Sequence, residues 1–497
     1  MKTKIQFVKC IKSNLFLLIF ISLYVFISCF FIFKTNYANF IFSLFAFGLL
    51  GILAAYWNIN HTLNPKKIVF LIFACGLILR FLYITYTDLG VRQHDIGSFY
   101  KSGHSGYITY VYDNFKLPDF DVRTKWQFYQ PPLHYFIAAA WLRLQTFFGL
   151  TYTAACENIQ FITLIYSTVS LFFIYKILDI LKLKNASLYV PFALAAFQPT
   201  FFFLAGSYNN DTLSVMFIIL AFYYTLKWYY NRTLGNIILL ALFIGLAMMS
   251  KLSSWYIAPA VALLFLLVLI YGKNVKKYII QYAAFGAICL PLGLFWPLRN
   301  FIKFGVPINY VPLLRMDHEQ YIGNYSVFSR IFNPFESLLE SIYNCHGHNS
   351  GDLFFEYNIP AAVFKTSVFG EWQIGAESQV CKFFAFCLLY VNIALIVISI
   401  VVMIRYLFKK FENRDIKWFL YLFYVTIISG YIFFCFAYPH DCSMDFRYIV
   451  ASFVIGIIFL GFYIRDTVKK GLKIALYALT SLFCIFSTCL YVSLALL

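Results

Sequence analysis

Apolar residues run in blocks of about 20 along nearly the whole chain, and polar residues gather in the gaps. Asn14 to Phe33 and Ala38 to Trp57 are the first two blocks, each enough helix to cross a hydrocarbon core. The first is too long for the apolar region of a signal peptide and is followed at once by a second span, so it reads as a membrane helix. The same pattern predicts about thirteen helices, near 14–33, 38–57, 68–86, 159–178, 187–204, 211–230, 235–251, 254–271, 278–298, 384–407, 416–438, 447–465 and 473–496. The fold class that follows is an all-α polytopic membrane protein.

Composition agrees. Hydrophobic residues make up 62% of the 497, aromatics 22% and charged residues 12%, and mean hydropathy is +0.75. A soluble domain carries roughly 25% charged residues, so this chain cannot cover a water-facing surface. Its net charge of +18 would suggest nucleic acid in a soluble protein, but the distribution gives another reason. Lysine and arginine cluster in alternate gaps, at Lys2 to Lys12, Lys66 and Lys67, Lys176 to Lys184, Lys227 and Arg232, Lys273 to Lys277, Arg405 to Lys417, and Arg465 to Lys473. Only Asp179, Glu412, Asp415 and Asp466 share those gaps. The excess reports topology, with the N-terminus cytoplasmic and the C-terminus external. No nucleic-acid partner is implied.

Residues 131–148 are just long enough to span. If they did, every later basic loop would move outside, so charge predicts a helix in the external interface, opening at Pro131-Pro132 and carrying His134, Arg143 and Gln145. Four regions follow. Residues 1–67 hold two extra N-terminal helices, and 68–298 form a transmembrane module that includes the external loop 87–158. A large external loop occupies 299–383, and 384–497 are C-terminal helices. No internal repeat appears, which counts against secondary transporters. Cys345, Cys381 and Cys442 fall in expected external loops, and spacing leaves a bridge between two of them open. Cys345, His346 and His348 are three close metal ligands without a fourth. Arg80, inside the third helix, pairs with a neighbouring helix or snorkels.

The polar residues of the external segments carry the candidate chemistry. Asp95 follows the outer end of a helix, where bilayer meets water and where a lipid-borne substrate presents its phosphate; ionised, it can accept a proton from an attacking hydroxyl. Asp211, Lys251, Arg299, Glu371 and Arg447 come from distant segments but land near the same interface, consistent with one polar cavity. Arginines suit a leaving phosphate because a guanidinium grips it with two hydrogen bonds.

Asp95, followed by Tyr129-Gln-Pro-Pro-Leu-His134-Tyr, resembles the first loop of GT-C fold glycosyltransferases, in the branch of protein O-mannosyltransferases and lipid A aminoarabinose transferases. Ser207-Tyr-Asn-Asn-Asp211-Thr-Leu, Gly245-Leu-Ala-Met-Met-Ser-Lys251, Trp296-Pro-Leu-Arg299-Asn300 through Gly305, and Asp445-Phe-Arg447-Tyr448 resemble later motifs in matching order, over roughly 68–465. The branch commonly has Glu after its catalytic Asp; Ile96 stands there, which leaves Asp113, Asp119 and Asp121 as substitute acids.

The resemblance implies a GT-C-like fold with external juxtamembrane helices in the first loop. It further implies transfer of a sugar, with inversion, from a polyprenyl-phosphate donor to a protein, glycolipid or glycan acceptor on the non-cytoplasmic face. Asp95 would be the base, and Tyr129, Gln130, His134, Asp211, Lys251, Arg299, Trp372 and Arg447 would bind substrate. No cofactor is required, and a divalent cation finds no clear acidic pair beside Asp95. The host membrane is a bacterial plasma membrane or, alternatively, the endoplasmic reticulum. The competing readings are a transporter or flippase of a lipid-linked or anionic substrate, and an assembly subunit with a degenerate site.

Overall fold

The computed structural model describes residues 36–496 apart from 92, 99–100, 319, 333–344, 347–352, 355, 373 and 375–377. The expected span at 14–33 lies outside the described residues. The other expected spans are all helical: α1 (Asn36–Ile59), α2 (Pro65–Tyr86), α6 (Ile159–Ile180), α7 (Ala186–Phe197) with α8 (Pro199–Gly206), α9 (Asp211–Tyr230), α10 (Leu234–Ser250), α11 (Ala258–Tyr271), α12 (Val275–Phe304), α15 (Gln379–Phe408), α16 (Arg414–Ala437), α17 (Val450–Asp466) and α18 (Lys470–Leu494). Among the described residues, ten helices are long and apolar enough to cross a membrane, or eleven with the bent pair α7–α8 counted as one. At 17 residues α10 is a little shorter.

Apolar character all round a helix marks burial or lipid contact, and the bundle uses both. The span through α17 has 89% of its most apolar window buried, whereas α1 and α12 bury 22%. The first external loop forms α3 (Gly103–Asn114), α4 (Leu133–Phe147) and α5 (Tyr152–Glu157). Here α4 packs against α3, with contacts also to α5 and α10. Tyr107, Phe128, Tyr135 and Leu142 join an apolar cluster that also takes in Ile162 of α6, Leu213 and Phe217 of α9 and Trp296 of α12, with the Tyr107 and Tyr135 rings stacked at 3.9 Å. So α4 is a 15-residue helix packed on α3, α5 and α10, at the place where the charge argument expects a helix that does not span.

The second large loop, 299–383, carries secondary structure of its own. It contains α13 (Val327–Phe332), a two-residue antiparallel ribbon (β1, Cys345–His346; β2, Leu353–Phe354) and α14 (Ile359–Phe369). Helix α14 sinks into the bundle against α15 and α8. Side chains of other elements satisfy its last carbonyls: Gln198 Nε2 and Thr200 Oγ1 donate to Ser367 O at 2.7 Å each, and Tyr491 Oη donates to Val368 O at 2.6 Å. Lys365 and Glu356 form a buried pair at 2.9 Å. Cys442 is a free thiol; Cys381 is buried in α15, which starts earlier than its hydropathy suggested.

A charge at a helix centre in lipid costs about 2.5–3.5 kcal/mol on insertion scales, and Arg80 sits buried within α2. Its reason lies across the interface. Pro199 interrupts the α7–α8 span, which bends by 45° and leaves carbonyls without helical donors. Arg80 Nη1 donates to Ala196 O at 2.9 Å, Nη2 to Ala195 O at 3.5 Å and Nε to Ser167 Oγ at 3.0 Å. Gly76 permits the approach, because a Cβ there would stand 2.8 Å from Ala196 O.

Each stranded buried carbonyl costs about 1–3 kcal/mol. Arg80→Met is therefore expected to lower the apparent melting temperature of the detergent-solubilised protein. Arg80→Lys, with fewer donors, should lower it part of the way; an unchanged melting temperature in both would show that the break does not depend on the guanidinium.

Candidate active site

Five segments that are distant in sequence meet in one charged pocket. Gln93, His94 and Asp95 come from the chain between α2 and α3, Asp211 from the first turn of α9, and Lys251 from the residue that ends α10. Glu371 follows α14 directly, and Asp445 and Arg447 lie in the 3₁₀ turn that leads into α17.

Local rules place each one. Asp95 has φ +54 and Gly97 φ +70, in the left-handed region where a side chain is strained. Gly97 and Gly103 pack on each other, and a Cβ on Gly97 would stand 2.3 Å from Ser102 O. The backbone is pinned to the start of α3: His104 N donates to Asp95 O at 3.1 Å and Ser105 N to Ile96 O at 2.9 Å. Gln93 ties it to the loop before α9, donating to Gly206 O at 2.8 Å and accepting from Tyr208 N at 3.0 Å. Asp445 caps its own turn, accepting from Arg447 N at 2.7 Å.

Arg447 stands in the middle. Its Nε is 3.7 Å from Asp211 and 3.6 Å from Asp445, and Nη2 is 3.9 Å from Glu371. These are ion pairs too long for hydrogen bonds. Nη2 donates to Tyr448 Oη at 2.9 Å, while Nε and Nη1, both buried, make no hydrogen bond among the described residues. Lys251 forms a short hydrogen-bonded pair with Asp211 and lies over the Tyr448 ring at 4.6 Å. His94 Nδ1 is 2.9 Å from Glu371 Oε2, and its ring is 4.8 Å from that of Trp372. Burial pushes the Asp95 carboxyl above the usual range; Arg447 and His94 pull it back down, and Glu371 and Asp211 push it further up.

Two clefts share Arg447. One is lined by His94, Phe203, Ser207, Trp372 and Asp445. The other has a polar end of Asp211, Lys251 and Tyr448 and apolar walls of Val215, Ile218, Ile257, Phe423 and Ile427.

The expected site residues divide accordingly. Asp95, Asp211, Lys251, Trp372 and Arg447 are together. Tyr129 is a half-buried phenol whose pKa rises through desolvation and then through the Asp95 charge. Gln130 stands one layer back, accepting from Asn210 Nδ2 at 3.3 Å. His134 is further behind, fully buried, with Nε2 3.0 Å from Tyr208 O; burial lowers its pKa to about 4, so it is uncharged at neutral pH.

Arg299 departs from expectation. It donates to Pro118 O and to Asn300 Oδ1 and stacks over Trp296 and Phe304, anchoring the first loop away from the acidic pocket. The substitute acids also stand elsewhere. Asp113 is exposed, Asp119 pairs with Lys116 at 2.8 Å, and Asp121 pairs with Arg123 at 2.6 Å. Carboxylates near Asp95 come instead from Asp211, Glu371 and Asp445. His94 and Asp445 were not singled out as site residues, although each adjoins a residue that was: His94 precedes Asp95, and Asp445 is two before Arg447.

Residues 129–296 match the family model for dolichyl-phosphate-mannose-protein mannosyltransferases. The match supports a GT-C type membrane glycosyltransferase. It spans Gln130, His134, Asp211 and Lys251 but ends before Glu371, Asp445 and Arg447 and begins after Asp95, so the fold brings matched and unmatched segments into one pocket. No curated protein matches the chain.

Breaking a buried ion pair from one side typically costs about 3–5 kcal/mol, because the remaining charge is left unpaired. Lys251→Met is therefore expected to destabilise the protein by about 3 kcal/mol, with Asp211→Asn on the same chain recovering most of the loss. Thermal unfolding of the two single variants and the double variant measures this; additive losses would show that the two residues do not act as a pair.

Proposed function

We propose that the protein transfers a sugar from a polyprenyl-phosphate donor to an acceptor hydroxyl on the non-cytoplasmic face, with Asp95 as general base. The observation that carries this reading is Arg447: a buried guanidinium beside Asp95, with Nε and Nη1 lacking hydrogen-bond partners among the described residues. It borders a cleft that is polar at one end and apolar along its walls. A phosphate needs such donors, and a prenyl chain needs such walls.

The chemistry is one displacement. The acceptor oxygen attacks the anomeric carbon while the bond from that carbon to the phosphate oxygen breaks. The hydroxyl proton passes to the Asp95 carboxylate, and the electron pair leaves on polyprenyl phosphate, inverting the centre. Negative charge grows on the leaving phosphate, where Arg447 and Lys251 stabilise it electrostatically. Burial makes the Asp95 carboxylate a better proton acceptor than a solvated one. Trp372, with His94 and Phe203, offers a face on which a sugar can stack. The match to protein mannosyltransferases favours mannose and a protein hydroxyl among the candidates. The charge pattern of the loops supports the external or lumenal side.

The test is sugar transfer from a radiolabelled polyprenyl-phosphate sugar pool in membranes carrying wild type or Asp95→Asn at equal expression. Transfer is expected to fall by about 10²–10⁴-fold in the variant, the range for a lost general base. Equal transfer would remove Asp95 from the mechanism. No transfer by either, with the matching donor supplied, would move the transporter reading ahead.

A further inference from the structure

We infer that a cavity behind the turn of Arg447 binds a neutral lipid, a hydrocarbon chain with a hydroxyl as its polar group. The cavity, about 290 Å³, lies among α14, α15, α16 and α17 and shares no lining residue with the two clefts that hold Arg447. The 3₁₀ turn into α17 divides them. Arg447 and Tyr448 line the cleft of Asp211 and Lys251, whereas Phe446 and Ile449 line the cavity. An apolar cavity of about 150 Å³ takes up a six-carbon ring, so this one has room for a chain of roughly twelve carbons.

Two observations set the chemistry of the ligand. Among the described residues no charged side chain lines the cavity, and an ionic headgroup there would be stripped of water without a counter-charge. Gln198, 1% exposed, also lines it. Its Nε2 donates to Ser367 O at 2.7 Å, while Oε1 makes no hydrogen bond among the described residues. Asn392 and Ser452 on the same wall do have partners, donating to Ser367 Oγ at 2.9 Å and to Ile449 O at 2.7 Å. A buried carbonyl oxygen left as Oε1 is calls for a donor, and a hydroxyl on an otherwise apolar molecule supplies one. Apolar walls with a few orienting polar groups are the usual build of a small-molecule site.

The way in is from the bilayer. Helices α15 and α16 each pack on α17 but scarcely on each other. At one end they are tied, Tyr421 Oη donating to Met403 O and Lys417 Nζ to Leu407 O at 2.7 Å. Beyond that tie the cavity lies between them and its lining is partly open: Ile400 is 42% exposed, and Ile396, Ile428 and Ile432 are half-buried. Both helices bury only 33% of their most apolar window, so hydrocarbon chains lie against this opening. A lipid seated here also bears on Pro360 and Phe364 of α14, the helix that leads to Glu371. It packs behind the segments that carry Glu371 and Arg447.

The full-length protein in phosphatidylcholine nanodiscs would be photolabelled with a dodecanol that carries a mid-chain diazirine, and the labelled residues mapped by peptide mass spectrometry. Label is expected within 392–403 of α15 and 424–432 of α16, the stretches that line the cavity, and excess 1-dodecanol is expected to remove it. The methyl ether of dodecanol, which lacks the donor, should compete about fivefold less well. Ile428→Trp, which fills the opening, is expected to cut the competable label at least about tenfold. Gln198→Leu is expected to make alcohol and ether compete alike. Label that excess 1-dodecanol leaves in place, or Ile428→Trp labelling like wild type, would overturn the site. Alcohol and ether competing equally in wild type would overturn the assignment of a hydroxyl to Gln198. The competition is read in the unaltered protein, so misfolding of a variant cannot produce it, and it is read without any sugar transfer.

Discussion

One guanidinium holds the site together. Arg447 faces three carboxylates at 3.6–3.9 Å, and two unit charges at 4 Å attract by about 4 kcal/mol at an effective dielectric constant of about 20. Without a cation Asp211, Glu371 and Asp445 would repel one another in a largely buried space. Taking charges out of water cancels much of the attraction, so the cluster is poor evidence for high stability. It is better evidence for position. Each acid comes from a different segment, and each segment is registered against the others by the charge they share.

The backbone does the rest of the positioning. Asp95 is carried on a left-handed turn that two glycines make possible by packing on each other. Glu371 stands two residues past the end of a short helix whose terminal carbonyls are bonded by Gln198, Thr200 and Tyr491. Asp95 and Glu371 therefore sit on a rigid frame although they lie in segments that hydropathy reads as loops. The electrostatics follow from that frame: a carboxyl buried beside other carboxyls and one arginine is a stronger base than one in solvent.

The bundle was legible in the sequence because membrane helices must be apolar along their whole length and because loop charge reports sidedness. That reading expects α4 to be a helix that does not span and expects Asp95, Asp211, Lys251, Glu371 and Arg447 on one side. It could not show which external residues touch. Arg299 shares their side but turns to the Pro118 carbonyl, because its position on α12 faces the first loop. His94 and Asp445 carry no periodic signal of their own, and their meeting depends on α14 entering the bundle. That helix is 11 residues long, too short to register as a span, so its burial was invisible to hydropathy.

The broken span α7–α8 has a consequence for how the chain is made. Arg80 belongs to an early helix, yet the carbonyl it bonds at Ala196 is 116 positions later. At roughly 5–20 residues per second of synthesis, the two are separated by on the order of ten seconds. During that interval α2 carries a charge into the membrane with Gly76 O of its own helix as an acceptor but those at Ser167, Ala195 and Ala196 not yet made. The break thus sets an order of assembly as well as a shape, with the early helix completed by the late one and release from the insertion machinery favoured only after both are present.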